Sequence, residues 1–105
     1  MIAVSRFRVP EDEQESFLVD LAEAHRLLAA RPGYVDGQVG RNLDDPELWT
    51  LVTRWVGVGA YRRALSAHEV KLGAVRLLGR ALDEPGAYEV VDPARGLDGL
   101  DRTRS

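Results

Sequence analysis

Residues Leu48 to Val56, LWTLVTRWV, constrain the fold more than any other stretch of the chain. Successive side chains of a strand point to opposite faces. Trp49, Leu51, Thr53 and Trp55 therefore share one face, and Thr50, Val52, Arg54 and Val56 share the other. Both faces are largely apolar, so both need a cover.

The flanking elements follow from periodicity. Ile2 to Val9 alternates, with Ile2, Val4, Arg6 and Arg8 on one side and Ala3, Ser5, Phe7 and Val9 on the other. That is a strand, and Pro10 ends it. Glu11, Asp12, Glu13 and Glu15 then mark a helix start, where carboxylates suit the positive end of the dipole. Phe17, Leu21, Ala24 and Leu28 form the helix stripe, Leu18 and Leu27 widen it, and Pro32-Gly33 terminates it. Tyr34 to Arg41 reads as a second strand, and an Asp-Asp-Pro turn within Asn42 to Glu47 makes a hairpin with the strand at Leu48. Gly57 and Gly59 turn the chain into a helix over Ala60 to Ala67. A further helix is expected over Val70 to Leu82, with Leu72, Val75, Leu78 and Leu82 on its apolar side, and a last strand over Tyr88 to Val91.

Strand, helix, strand, strand, helix, strand is the split βαβ order of the ferredoxin-like α+β folds, βαββαβ. Such a sheet is antiparallel and carries its helices on one face. Val52 and Val56 then lie on the uncovered face, which predicts a homodimer packed sheet against sheet. An arginine among them, Arg54, calls for an acidic partner, expected across the dimer. The domain is read as residues 1–91. Residues 92–105 read as a polar C-terminal tail anchored only by Leu97 and Leu100, either loose or docked on a partner.

Bulk properties exclude several functions. At 105 residues the chain has room for one domain. A net charge of -3, with arginines scattered among acids, argues against nucleic acid. The chain contains no cysteine, which removes disulfides and thiolate chemistry and suits a reducing cytoplasm. No apolar run is long enough for a membrane span, and the first residues do not form a signal peptide. His25 and His68 are too far apart for a metal site, and no nucleotide-loop or hydrolase motif is present. No metal and no cofactor are expected.

Residues able to do chemistry gather between Arg31 and Lys71. Trp55 and Tyr61 sit where the third strand turns into its helix, and His68 follows two turns later. The run PGY, then DDPELWTLVTRW, GAY, SAH and finally PGAYEVV resembles the antibiotic biosynthesis monooxygenase superfamily, over Ile2 to Val91. The resemblance implies a dimeric α+β barrel with a pocket between sheet and helices in each subunit. Some members oxygenate polycyclic aromatic polyketides without metal or flavin, and others bind and degrade haem. In the cofactor-free oxygenases a tryptophan ending strand three and a tyrosine six residues on line the pocket, and Trp55 and Tyr61 match in type and spacing. That pattern also has an asparagine shortly before the tryptophan, where this chain has Leu51 and Val52. The haem-degrading branch has an asparagine in strand one and a helical histidine, where this chain offers Ser5 and His68.

An oxygenase without a cofactor needs a substrate that supplies the electron itself, as a phenolate or enolate does. The protein must take a proton, stabilise the oxyanion and hold a flat molecule in a dry slot. The resemblance makes Trp55 and Tyr61 the groups that position and polarise a small aromatic substrate, and His68, a residue able to take a proton near neutral pH, is read from its place in the helical region as a candidate base. On a continuous helix Tyr61, Leu65 and His68 share a face. Leu51, Leu65 and Leu72 are read as lining residues, and Arg76 as a contact for a substrate anion. His25, midway along the first helix, receives no role. The expected activity is cofactor-independent oxygenation of an aromatic polyketide- or quinol-like molecule. The alternatives are a non-catalytic ligand-binding or accessory dimer and a haem protein.

Overall fold

The structure, a computed structural model, describes residues 1–96. Four strands form one antiparallel sheet: β1 (Ile2–Arg8), β2 (Tyr34–Arg41), β3 (Leu48–Trp55) and β4 (Ala87–Tyr88), in the order β2-β3-β1-β4. A 3-10 turn at Glu11–Glu13 leads into α1 (Gln14–Ala29). The second helical region comprises α2 (Val58–Ser66), α3 (His68–Gly73) and α4 (Val75–Leu78). This is the ferredoxin-like α+β fold expected from the element order. Its central strands β1 and β3 are in register from Ile2↔Arg54 to Arg8↔Leu48.

The alternation of β1 and β3 determines what reaches the core. Ala3 and Phe7 of β1 and Trp49, Leu51, Thr53 and Trp55 of β3 are buried beneath the helices. From α1 the stripe Phe17, Leu21, Ala24 and Leu28 packs down on them, all four essentially inaccessible. Burying each Phe- or Leu-sized side chain contributes about 1.5–3 kcal/mol, so this one layer dominates the stability of the domain. Phe7, Phe17 and Trp49 form an aromatic run at the hairpin end, with centroids 5.3 and 6.0 Å apart.

Three details depart from the periodicity. The second helical region breaks at Ala67, whose ψ of 141° is extended, as the separate helices expected over Ala60 to Ala67 and Val70 to Leu82 anticipate, and breaks again at Ala74, inside the second of them. Its buried stripe is Val70, Ala74 and Leu77, whereas Leu72, expected on the apolar side, is 73% exposed. Val75 is also exposed, and Leu78 and Leu82 are only half-buried. The last strand is shorter than Tyr88 to Val91. It pairs Ala87 with Ala3 and Tyr88 with Ile2, and beyond that the antiparallel register runs past the start of β1. The chain nevertheless follows β1 for longer, through Leu82 N–H to Arg6 O (2.8 Å) and Val4 N–H to Gly86 O (2.7 Å), with Arg6 clasping Glu84 through two hydrogen bonds. Finally, the partner of Arg54 is not across a dimer. Asp36, its neighbour on β2, accepts from Nε at 2.7 Å and Nη2 at 2.6 Å in an exposed pair. Residues 89–96 are exposed, and the expected anchors Leu97 and Leu100 lie outside the described residues.

Candidate functional site

A bulge at the start of β2 builds the site. Tyr34 pairs with Trp55 and Asp36 with Arg54, so two steps on β2 match one on β3. The extra residue lets Tyr34 point to the helix side while Asp36 points to the opposite face. Tyr34 then meets the ring of Trp55 edge-on, with centroids 5.4 Å apart and planes at 87°. On its other side Trp55 meets Tyr61, at 5.6 Å and 57°. Tyr61 stands in the first turn of α2, which begins at Val58, immediately after the extended Gly57. A row of three aromatic rings thus runs from β2 over the end of β3 to α2.

The polar tips of this row differ in their partners. Trp55 is 2% exposed, and its Nε1–H donates to Thr53 Oγ1 at 2.8 Å. Two positions back on the same face, Thr53 is the one buried polar residue of the core, and this bond satisfies it. Tyr61 is half-buried, and its hydroxyl meets no hydrogen-bonding side chain among the described residues. Burial raises its phenol above the ordinary tyrosine range, so it remains a donor through neutral pH. Tyr34 Oη lies 2.7 Å from His25 Nε2 of α1. Burial first, and then the Asp36 carboxylate, push its phenol up as well.

The residues singled out by sequence do not all converge. Leu51 is buried in the same β3 row as Trp55, and Leu65 is half-buried one turn after Tyr61. His68 is exposed, because the break at Ala67 ends the helix that would have carried it onto the face of Tyr61. Leu72 and Arg76 line a different cavity, of about 500 Å³, between α1 and the α3–α4 region, together with Asp20, Glu23 and Arg80. Sequence reasoning missed Tyr34 and His25. A second cavity, of about 450 Å³ and almost wholly apolar, opens beside them between α1 and β2. The signal was present in α1, where Leu18, Ala22 and Ala29 make a second small and apolar stripe beside the core stripe. Among the described residues, no cluster of three acidic, histidine or cysteine side chains could hold a metal, and no helix is long and apolar enough to cross a membrane.

With the sheet and the aromatic row in view, the class is defined: the chain belongs to the antibiotic biosynthesis monooxygenase family, whose model matches residues 1–74. Among solved structures it is similar to SnoaB, a cofactor-independent oxygenase from Streptomyces nogalater. The identity is 25% over 87% of this chain and 92% of that one, with a TM-score of 0.73. It shares the fold of Rv0793 from Mycobacterium tuberculosis, at 16% identity over 87% and 94% of the two chains and a TM-score of 0.68. A conserved protein from Methanosarcina mazei Go1 is alike in fold, at 20% identity over 82% and 84% and a TM-score of 0.67. No curated protein matches the chain significantly.

Proposed function

We propose that this protein is a cofactor-independent monooxygenase of an electron-rich aromatic molecule, an aromatic polyketide or quinol, acting beside the Trp55–Tyr61 pair. The observation that carries the reading is the half-buried Tyr61, whose hydroxyl makes no hydrogen bond among the described residues and whose ring leans on the indole of Trp55. Family membership and the likeness to SnoaB support the reaction type. The substrate enters as an enol or phenol and loses its proton to water. Its anion gives electrons to dioxygen, the attacked carbon forms a C–O bond and gives up its hydrogen, and the O–O bond breaks. One oxygen atom stays as a carbonyl and the other leaves as water, with all four electrons drawn from the substrate, which is released as a quinone. Tyr61 donates to the substrate oxygen where negative charge collects, and burial strengthens that donation. Trp55, buried and with its N–H held by Thr53, fixes the position of Tyr61 rather than contacting the substrate. Leu51 and Leu65 keep the surroundings dry. His68, Leu72 and Arg76 have no part in this reading, since they lie on the surface or on another cavity.

The test is oxygen consumption by purified, metal-free protein with a panel of anthrones and quinols. Turnover is expected, reduced about 100–1,000-fold in Tyr61→Phe, as for loss of one donor to a developing oxyanion. In Trp55→Phe the ring remains but Thr53 loses its donor, so a smaller loss is expected. Absence of uptake across the panel by folded protein would reject the oxygenase reading.

A further inference from the structure

We infer that the cavity between α1 and β2 is a binding site for a small planar molecule carrying one hydroxyl, a naphthol-like phenol or enol, recognised by the His25–Tyr34 pair. This inference does not depend on the reaction proposed at Tyr61.

Three observations converge. The first is size and lining. About 450 Å³ falls within the range of small-molecule pockets, and the walls are apolar, from Leu18, Ala22 and Ala29 of α1 and Val39 of β2. Leu18 and Val39 are substantially exposed, which costs free energy while the groove holds only water.

The second is chemistry. His25 Nε2 and Tyr34 Oη, 2.7 Å apart, form a hydrogen-bonded polar pair in the groove. When the imidazole accepts the tyrosine proton, Tyr34 Oη keeps lone pairs for a ligand hydroxyl. When the imidazole donates, the Tyr34 hydroxyl turns outward and serves a ligand oxygen. The pair therefore meets a group that both donates and accepts. The one cation of the lining, Arg26, is already held by Glu23 through bonds of 2.8 and 2.6 Å, and no carboxylate lines the groove. A carboxylate or ammonium ligand finds no free counter-charge there, whereas a neutral phenol needs none.

The third is the backbone beneath the pair. Gly37 faces the helix side opposite Thr53. A Cβ at Gly37 would lie 2.7 Å from His25 Nε2 and 2.7 Å from Tyr34 Oη. The space a side chain would fill is occupied by the hydrogen-bonded tips, so the pair is seated against bare backbone. This constraint concerns the two polar atoms, not the core as a whole.

The experiment is titration of ¹⁵N-labelled protein with 2-naphthol and with 2-methylnaphthalene, which replaces the hydroxyl by a methyl of similar size. We expect amide shifts concentrated in residues 18–29 and 34–39, and about tenfold tighter binding of the naphthol. In Tyr34→Phe that preference should fall to within about twofold while the apolar contribution stays. Ala22→Trp, a change at an exposed helix position that fills the groove without touching the core, should abolish binding of both compounds. Shifts centred elsewhere, no binding of either compound, a preference unchanged in Tyr34→Phe, or full binding by Ala22→Trp would each overturn the assignment. Oxygen uptake at Tyr61 is read separately, so failure of one proposal leaves the other standing.

Discussion

At Gly33 the backbone takes φ +90°, a conformation that costs any other L-residue about 1–2 kcal/mol. The cost of substitution is larger here than the torsion alone. A Cβ at this position would collide with the Cβ of buried Ala60 and lie 3.1 Å from Val56 Cγ2. Ala60 belongs to α2 and cannot retreat from the core, so Gly33 is the point where the β2 entry and α2 touch. It also accepts a hydrogen bond from Val56 N–H at 2.9 Å, which fixes the turn immediately before Tyr34. Gly33→Ala should therefore destabilise the protein by about 2–4 kcal/mol, combining torsional strain with overpacking. It should also disturb the Tyr34–Trp55 contact. Urea unfolding measures the first and tryptophan fluorescence the second. A loss below about 1 kcal/mol would mean that α2 is free to shift.

At the level of elements, the phase of α3 makes a prediction that the expected stripe of Leu72, Val75, Leu78 and Leu82 would reverse. Val70 is wholly buried and Leu72 largely exposed. Val70→Ala should cost about 1–3 kcal/mol, and Leu72→Ala should change stability by no more than about 0.5 kcal/mol. Chemical denaturation that ranked them the other way would put the Leu72 stripe on the core. The helical region also shows what could be read from sequence and what could not. Strands β1 and β3 and helix α1 were legible from their unambiguous periods, and β2 from the Pro-Gly before it and the hairpin turn after it. The nearness of Trp55 and Tyr61 was legible for the same reason, being local to a strand end and a helix start. His68 was aligned with Tyr61 by carrying one helix across the gap between those expected over Ala60 to Ala67 and Val70 to Leu82, and the extended Ala67 interrupts the helix there. The His25–Tyr34 contact was not legible, since it spans a Pro-Gly turn and depends on a bulge. Strict alternation puts Tyr34 and Asp36 on one face, and the bulge separates them.

For the whole molecule, the face of the sheet away from the helices carries a partly exposed apolar centre. Ile2, Val4 and Val52 are only half-covered there, and Val56 at the end of β3 is 75% exposed. Around them stand two well-formed ion pairs, Arg6–Glu84 and Arg54–Asp36. An apolar centre framed by charges already neutralised within the chain has the composition of an interface rather than of a solvated surface. We propose that two copies bury this face about a two-fold axis. Sedimentation equilibrium at micromolar concentration should then give twice the 11.6 kDa chain mass. Val52→Lys should give the single-chain mass, because the ammonium would be buried without a partner. Val19→Lys, at a 70% exposed position on α1, should leave the dimer intact. A wild-type monomer would reject the dimer and leave the fold untouched. The monomeric variant carries a second lesson about the site. The aromatic row and the α1–β2 cavity both lie on the helix side of the sheet, opposite the proposed interface. A folded Val52→Lys monomer should therefore still bind 2-naphthol with unchanged affinity. Loss of binding in a protein that remains folded would mean that the partner completes the cavity, and that assembly and ligand capture are coupled.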